Sequence, residues 1–382
     1  MQWQIPLFES DIGPDEIRAV TKVLESRWLT MGEITRQFEE LFCAYVRCKH
    51  AFAVSNGTAA LHLANMAAGI GQGDEVIVPS LTFSATVNSI LYTGALPVFA
   101  DVTSEDDFNI SPEDIEQKIT SRTKAIMVVH YGGYPCQMDR ILKIADRHGL
   151  IVIEDAAHAP GANIQGRFCG TFGKSGCFSF FSNKNLATGE GGMVVTDDDQ
   201  VAEKVRLLRS HGMTTLTLNR YEGHAYSYDV VDLGYNYRTS EMNAALGIVQ
   251  LEKLSRKNQG RGDIVQHYRS RLSAIDEVSV PFTHCTGNSS YHIFPILLAN
   301  HLNRMEFMRF MKERGIQTSI HYPPVHQFSY HRQRLREHGS LDRTEDIGSR
   351  EVTLPLYPQM NETDVNNVVS SIKQFLKMHE NI

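Results

Sequence analysis

The chain has 382 residues, 42% hydrophobic and 21% charged, enough for a large core and, at this length, a main domain with a smaller companion. Lys and Arg number 37 against 44 Asp and Glu, and the resulting net charge of -7 argues against nonspecific nucleic-acid binding or an anionic membrane surface. Residues 1–6 carry no basic segment followed by an apolar core, and no stretch reaches the roughly 18 apolar residues of a membrane span, so a cytoplasmic protein is expected.

Between residues 50 and 210, short apolar runs alternate with amphipathic segments. The run 51–54 leads into helical spacing over 58–68, 75–78 into 83–91, 97–100 into 112–119, and 125–129 into 138–148. Further runs stand at 150–153, 177–181 and 193–196, the last leading into 200–208. Continuous apolar runs are strands buried on both faces, so the pattern predicts an α/β fold, a mainly parallel sheet covered by helices on each side. Ser111, Pro112, Glu113 and Asp114 supply a cap, a proline at the first helical position and early acidic residues. After residues 238–241 one long helical pattern runs to about 272. Strands near 291–298 and 318–320 and helices near 304–314 and 362–378 then predict a smaller α+β domain. The expected division is a large domain with an N-terminal arm over 1–250 and a small C-terminal domain over 251–382. Cys43, Cys48, Cys136, Cys169, Cys177 and Cys285 are scattered without a CxxC pair, so reduced thiols are expected and neither a disulfide framework nor a metal site.

In open α/β sheets ligands collect at the carboxyl ends of the strands, which makes the residues after each strand informative. After 51–54 come Ser55, Asn56, Gly57, Thr58 and Ala59, where a glycine allows close backbone approach and a helix N-terminus offers N–H donors, a combination suited to phosphate. After 75–78, Phe83 could stack on a planar ligand. After 150–153, Asp155 stands at the strand end, with His158 one helical turn on. After 177–181, Lys184 sits in a small, polar, glycine-rich turn, where partial burial would make its amine a nucleophile toward a carbonyl. Pyridoxal phosphate would use all of these: Lys184 for the carbonyl, Asp155 for the pyridine nitrogen, and the turn at Gly57, Thr58 and Ala59 for the phosphate. A dinucleotide fingerprint is not supported, because Gly69-Ile70-Gly71-Gln72-Gly73 precedes a strand instead of following one.

These motifs, with Arg27-Trp28-Leu29-Thr30-Met31-Gly32, Gly234-Tyr235-Asn236-Tyr237-Arg238 and His321-Tyr322-Pro323-Pro324-Val325-His326, occur in an order that resembles the DegT/DnrJ/EryC1/StrS family of sugar-nucleotide aminotransferases. The resemblance spans nearly the whole chain. It implies the fold-type I architecture, a three-layer αβα large domain plus a small domain, with pyridoxal 5'-phosphate as cofactor. It also implies that Lys184 bonds covalently to the cofactor, that Asp155 partners the pyridine nitrogen, and that Phe83 stacks on the ring with His158 over or beside it. Thr58, Ala59 and Ser179 would hold the phosphate, and Asn236 would reach it from a neighbouring subunit, making a homodimer the functional minimum. Many relatives carry Gln in place of His158, and the aromatic or proline residue common two positions before the lysine is Ser182 here.

The activity so implied is transamination of a nucleotide-linked keto-sugar with glutamate as amino donor. The Thr188-Gly189-Glu190-Gly191-Gly192 loop resembles that of enzymes acting at C4 of a 4-keto-6-deoxyhexose; C3 amination or an aminocyclitol substrate is the alternative within the family. A deoxysugar dehydratase would carry histidine in place of Lys184, and a noncatalytic regulatory protein that senses cofactor or sugar is the alternative of another class. Candidate substrate contacts are Arg220, Arg238, His321, Tyr322 and His326. His321 and His326 lack a third clear metal ligand.

Overall fold

A computed structural model describes residues 3–214, 227–334 and 339–379. The main sheet has seven strands: β1 (His50–Val54), β2 (Glu75–Pro79), β3 (Leu96–Ala100), β6 (Thr123–Val129), β7 (Ile151–Asp155), β10 (Ser175–Ser179) and β11 (Gly192–Thr196). Their order across the sheet is β1-β11-β10-β7-β6-β2-β3. Only β11 runs antiparallel to its neighbours, so the carboxyl ends of the other six share one edge. Two hairpins, β4 (Val102–Ser104) with β5 (Asp107–Ile110) and β8 (Asn163–Ile164) with β9 (Arg167–Phe168), decorate the connections.

Successive strand residues point to opposite faces, and here both faces are covered. Val76, Val78, Met127, Ile153 and Val194 pack under the helices Gly57–Ala67, Ser84–Leu91 and Asp199–Leu208. Ile77, Ile126, Val128 and Val152 face Pro112–Lys118 and Met138–His148. Ala51, Ala53, Phe178 and Val195 face Glu33–Val46 and the start of Glu241–Leu272. The result is the expected three-layer α/β architecture.

A second core gathers around β12 (Val278–Ser279), β13 (Phe294–Leu298) and β14 (Glu351–Leu354), with helices Arg304–Glu313 and Glu362–His379. The two cores share one continuous helix, Glu241–Leu272: Ala244, Leu251 and Leu254 pack on the main sheet, and Ile264, Val265, Tyr268 and Leu272 on the second core. Residue 250 therefore falls inside a helix, where no backbone signal separates the two cores. The N-terminal arm also crosses over. Ile5 is buried in the second core, and the N–H groups of Gln4 and Ile5 donate to the Gly315 carbonyl. The strand expected at 318–320 is a single bridge, Ser319 with Thr353, on the edge of β14 opposite β13. Helices Pro14–Ser26, Glu33–Val46 and Asp342–Arg350 add to the expected set. Among the described residues no helix is long and apolar enough to cross a membrane, and all six thiols are free.

Candidate active site

The loops at the shared carboxyl edge enclose a cavity of about 500 Å3 lined by Gly57, Thr58, Phe83, Thr86, Asp155, His158, Ser179, Lys184, His321 and Tyr322, among others. After β10 the chain folds back on itself. The Phe180 N–H donates to Gly191 O and the Thr188 N–H to Phe180 O, each at 2.8 Å, and the Lys184 N–H closes a turn on Phe181 O at 2.8 Å. That closed loop fixes Lys184 beside β7, where Asp155 ends the strand.

Asp155 is 5% exposed, yet its carboxylate is held: Oδ2 accepts from Thr86 Oγ1 at 2.8 Å and Oδ1 from the Ala157 N–H at 3.1 Å. Burial raises its pKa, while these two donors and the Lys184 charge pull it back. Burial lowers the Lys184 amine to about 8 against the opposing pull of Asp155, so a substantial neutral fraction exists near physiological pH. Three imidazoles surround the amine, and burial keeps all of them neutral: His158 and His292 lie well below the ordinary range, and His321 lies at about 4.

The turn after β1 is built for close approach. The Asn56 side chain caps helix Gly57–Ala67 by accepting from the Ala59 N–H at 2.8 Å. A Cβ at Gly57 would lie 2.8 Å from Ser179 Cβ, so only glycine lets this helix start meet the loop after β10. Asn183 Oδ1, on a residue that lines the cavity, is buried with no partner within the protein. An amine, a held carboxylate, an exposed aromatic ring and a helix N-terminus thus share one cavity, which fits pyridoxal phosphate part by part.

Not every expected site residue is found lining this cavity of its own chain. Ala59 gives its N–H to the Asn56 cap and does not line the cavity. His326 is outside it as well: Nδ1 meets Ser80 Oγ at 2.7 Å and Nε2 meets Glu345 Oε1 at 3.1 Å, which ties the segment after β2 to helix Asp342–Arg350. Arg238 donates to Ser210 Oγ at 3.2 Å and does not reach the cavity of its own chain. Asn236 is exposed and is likewise absent from that cavity. Arg220 lies outside the described residues.

Residues 10–373 match the model of the DegT/DnrJ/EryC1/StrS aminotransferase family. The chain belongs to this family. Spore coat polysaccharide biosynthesis protein SpsC of Bacillus subtilis is 41% identical over 99% of this chain and 97% of its own length. Among solved structures, Helicobacter pylori PseC, an aminotransferase of pseudoaminic acid biosynthesis, superposes with a TM-score of 0.90 at 30% identity, covering 98% and 99% of the two chains. Spr1654 of Streptococcus pneumoniae, solved in its PLP form, gives 0.90 at 26% identity over 97% and 98%. DesI, solved with its TDP-sugar product, gives 0.87 at 30% identity over 98% and 92%. The fold and the enzyme class are therefore those of the PLP-dependent sugar aminotransferases.

For a member of this family, the residues that sequence reasoning missed are instructive. Thr86 stands on the first turn of Ser84–Leu91, and its partner Thr82 (Oγ1 to Oγ1, 2.8 Å) fixes its hydroxyl on Asp155; two threonines four apart after a strand were a readable signal. His292, whose Nε2 stands 3.4 Å from Lys184 Nζ, comes from the segment before β13 and has no local signal. Tyr322, a candidate substrate contact, lines the cavity, and its hydroxyl meets His158 Nε2 at 3.0 Å while its ring lies 5.9 Å from that of Phe83.

Proposed function

We propose that this aminotransferase transfers the amino group of glutamate to a nucleotide-linked keto-sugar, at C4 of a 4-keto-6-deoxyhexose, with pyridoxal phosphate as its resident cofactor. The observation that carries the reading is the Lys184 amine, brought down to about 8 by burial and set in the same cavity as the held carboxylate of Asp155. Lys184 would bond to the cofactor and Asp155 would hold the pyridine nitrogen. Gly57, Thr58 and Ser179 would cradle the phosphate, and Phe83 would cover the ring. Bound there, the cofactor supplies an aldehyde carbon for the amine and a ring that draws off an electron pair.

The protein's own task is proton placement. With its amine about half neutral near pH 8, Lys184 can take a proton from the donor's α-carbon and return it on the other side of the exchange. Asp155, fixed by Thr86 Oγ1 and the Ala157 N–H, keeps its charge turned to one point of the cavity. Neutral imidazoles at His158, His292 and His321 add hydrogen-bonding capacity without a competing positive charge. The preference for a nucleotide sugar draws on the TDP-sugar product bound by DesI, and the preference for C4 on the loop through Thr188 and Glu190. Thr188 Oγ1 donates to Glu190 O at 2.7 Å, and Asn243 Nδ2 binds the carbonyls of both, so the loop brings Glu190 to the cavity wall. Asn236 is exposed and does not line its own chain's cavity, which supports a homodimer in which it serves a second copy.

Mass spectrometry after incubation with glutamate, pyridoxal phosphate and a panel of dTDP-, UDP- and GDP-linked keto-sugars tests the reading. A new amine is expected with a 4-keto sugar and is expected to be lost in Lys184→Ala. Product from the variant, or none from any sugar, overturns it.

A further inference from the structure

His292 faces Lys184, and the protein has already decided which of its ring nitrogens carries the hydrogen. The Pro160 carbonyl can only accept, so Asn258 turns Nδ2 toward it at 2.9 Å and presents its Oδ1. That Oδ1 and the Ser290 carbonyl both take hydrogens from Asn185 Nδ2, at 2.8 and 2.7 Å. Asn185 Oδ1 is thereby committed as the acceptor 3.0 Å from His292 Nδ1, which must be N–H. In a neutral ring this leaves a bare lone pair on Nε2, the atom 3.4 Å from Lys184 Nζ. His292 is 5% exposed and Asn185 3% exposed, so water does not compete for these positions.

The neighbouring imidazoles are wired differently. His158 Nδ1 accepts from the Gly132 N–H at 3.3 Å, which leaves its Nε2–H to face Tyr322 Oη at 3.0 Å. His321 Nδ1 is engaged by Thr353 Oγ1 at 2.8 Å. Among these three rings only His292 has a hydrogen-bonding nitrogen on the Lys184 amine.

We propose that His292 is a catalytic residue: its Nε2 accepts a hydrogen bond from Lys184 Nζ whenever that amine is free of the cofactor, turning the amine's own lone pair toward the cavity. Asn185 and Asn258 are positioning residues that fix the ring's tautomer. The proposal rests on Lys184 being the amine that bonds to pyridoxal phosphate. It adds that this amine is aimed by a neutral histidine and is not left to sample rotamers in the cavity.

The test separates the two claims. Borohydride reduction after addition of pyridoxal phosphate, followed by peptide mass spectrometry, should place the cofactor on Lys184; no adduct there overturns the functional reading itself. Given the adduct, stopped-flow absorbance measures how fast the cofactor-free protein captures pyridoxal phosphate. His292→Phe should slow capture about tenfold or more, the size of one hydrogen bond to a reacting group. Asn185→Leu should slow it less, and His292→Gln, which keeps an acceptor, should recover part of the rate. Nitrogen NMR of the unmutated, 15N-histidine-labelled protein provides a readout that needs no variant to fold: a hydrogen on Nδ1 and a bare Nε2 are expected at His292. A hydrogen on Nε2, or capture by His292→Phe within twofold of the unmutated rate, overturns the proposal.

Discussion

Replacing Lys184 by Met should stabilise the cofactor-free protein at neutral pH while abolishing transamination. The amine falls from the ordinary lysine value of 10.5 to about 8 because burial disfavours the ammonium by more than Asp155 favours it. At ~1.4 kcal/mol per pH unit, keeping Lys184 protonated at pH 7 costs the fold on the order of 3 kcal/mol. Met fills a similar volume without the charge. It also gives up the contact with His292, so a net gain of ~1–3 kcal/mol is expected. The sign follows from linkage. Between about pH 8 and 10.5 the unfolded chain holds this proton more tightly than the folded one, so the unmutated protein gains stability with rising pH across that window. The advantage of Lys184→Met is therefore complete below pH 8 and lost as pH approaches 10.5. Thermal melts of both cofactor-free proteins at pH 7 and pH 10 should show a midpoint higher by roughly a few degrees at pH 7, and a narrower gap at pH 10. A variant less stable at pH 7, or a gap that ignores pH, refutes a desolvated Lys184.

Gly57→Ala places a methyl group 2.8 Å from Ser179 Cβ, an atom anchored directly to backbone, so the helix start and the loop after β10 must part. Affinity for pyridoxal phosphate, titrated by absorbance, should fall about tenfold or more, and an unchanged affinity would remove this turn from the phosphate site. Glu351 is fully buried, and burial raises its carboxyl to about 8 despite hydrogen bonds from Thr353 Oγ1 and the His321 N–H. The folded carboxyl holds its proton more tightly than the unfolded one, so the unmutated protein loses stability as pH climbs from about 4.5 to 8. Glu351→Gln should not, and its melting midpoint should gain on that of the unmutated protein across this range; parallel curves would show that Glu351 does not titrate as its burial demands.

Most of the main sheet was legible because its strands are buried on both faces. A continuous run such as 125–129 has one structural meaning when turn residues bound it, and helix Met138–His148 matches its sequence pattern at both ends. Legibility failed where partners are distant in sequence or where two packings compete. The run expected at 318–320 reads as a strand but makes one bridge, Ser319 to Thr353, on the edge of β14 that β13 leaves open. His326 looks like a site histidine but is drawn off by Ser80 and Glu345.

The same division governs the site. Parallel strands put their carboxyl ends on one edge, so the chain's order of strands and turns by itself brought Gly57, Phe83, Asp155 and Lys184 to one place. It could not say how that place is tuned. The low pKa of Lys184 is a property of enclosure, and the lone pair that His292 turns on it is fixed by Asn185, Asn258 and the Pro160 carbonyl, groups contributed by segments far apart in the chain. Local sequence encodes periodicity and turns, whereas the direction of a hydrogen bond and the dielectric around an amine exist only after the two units have packed together.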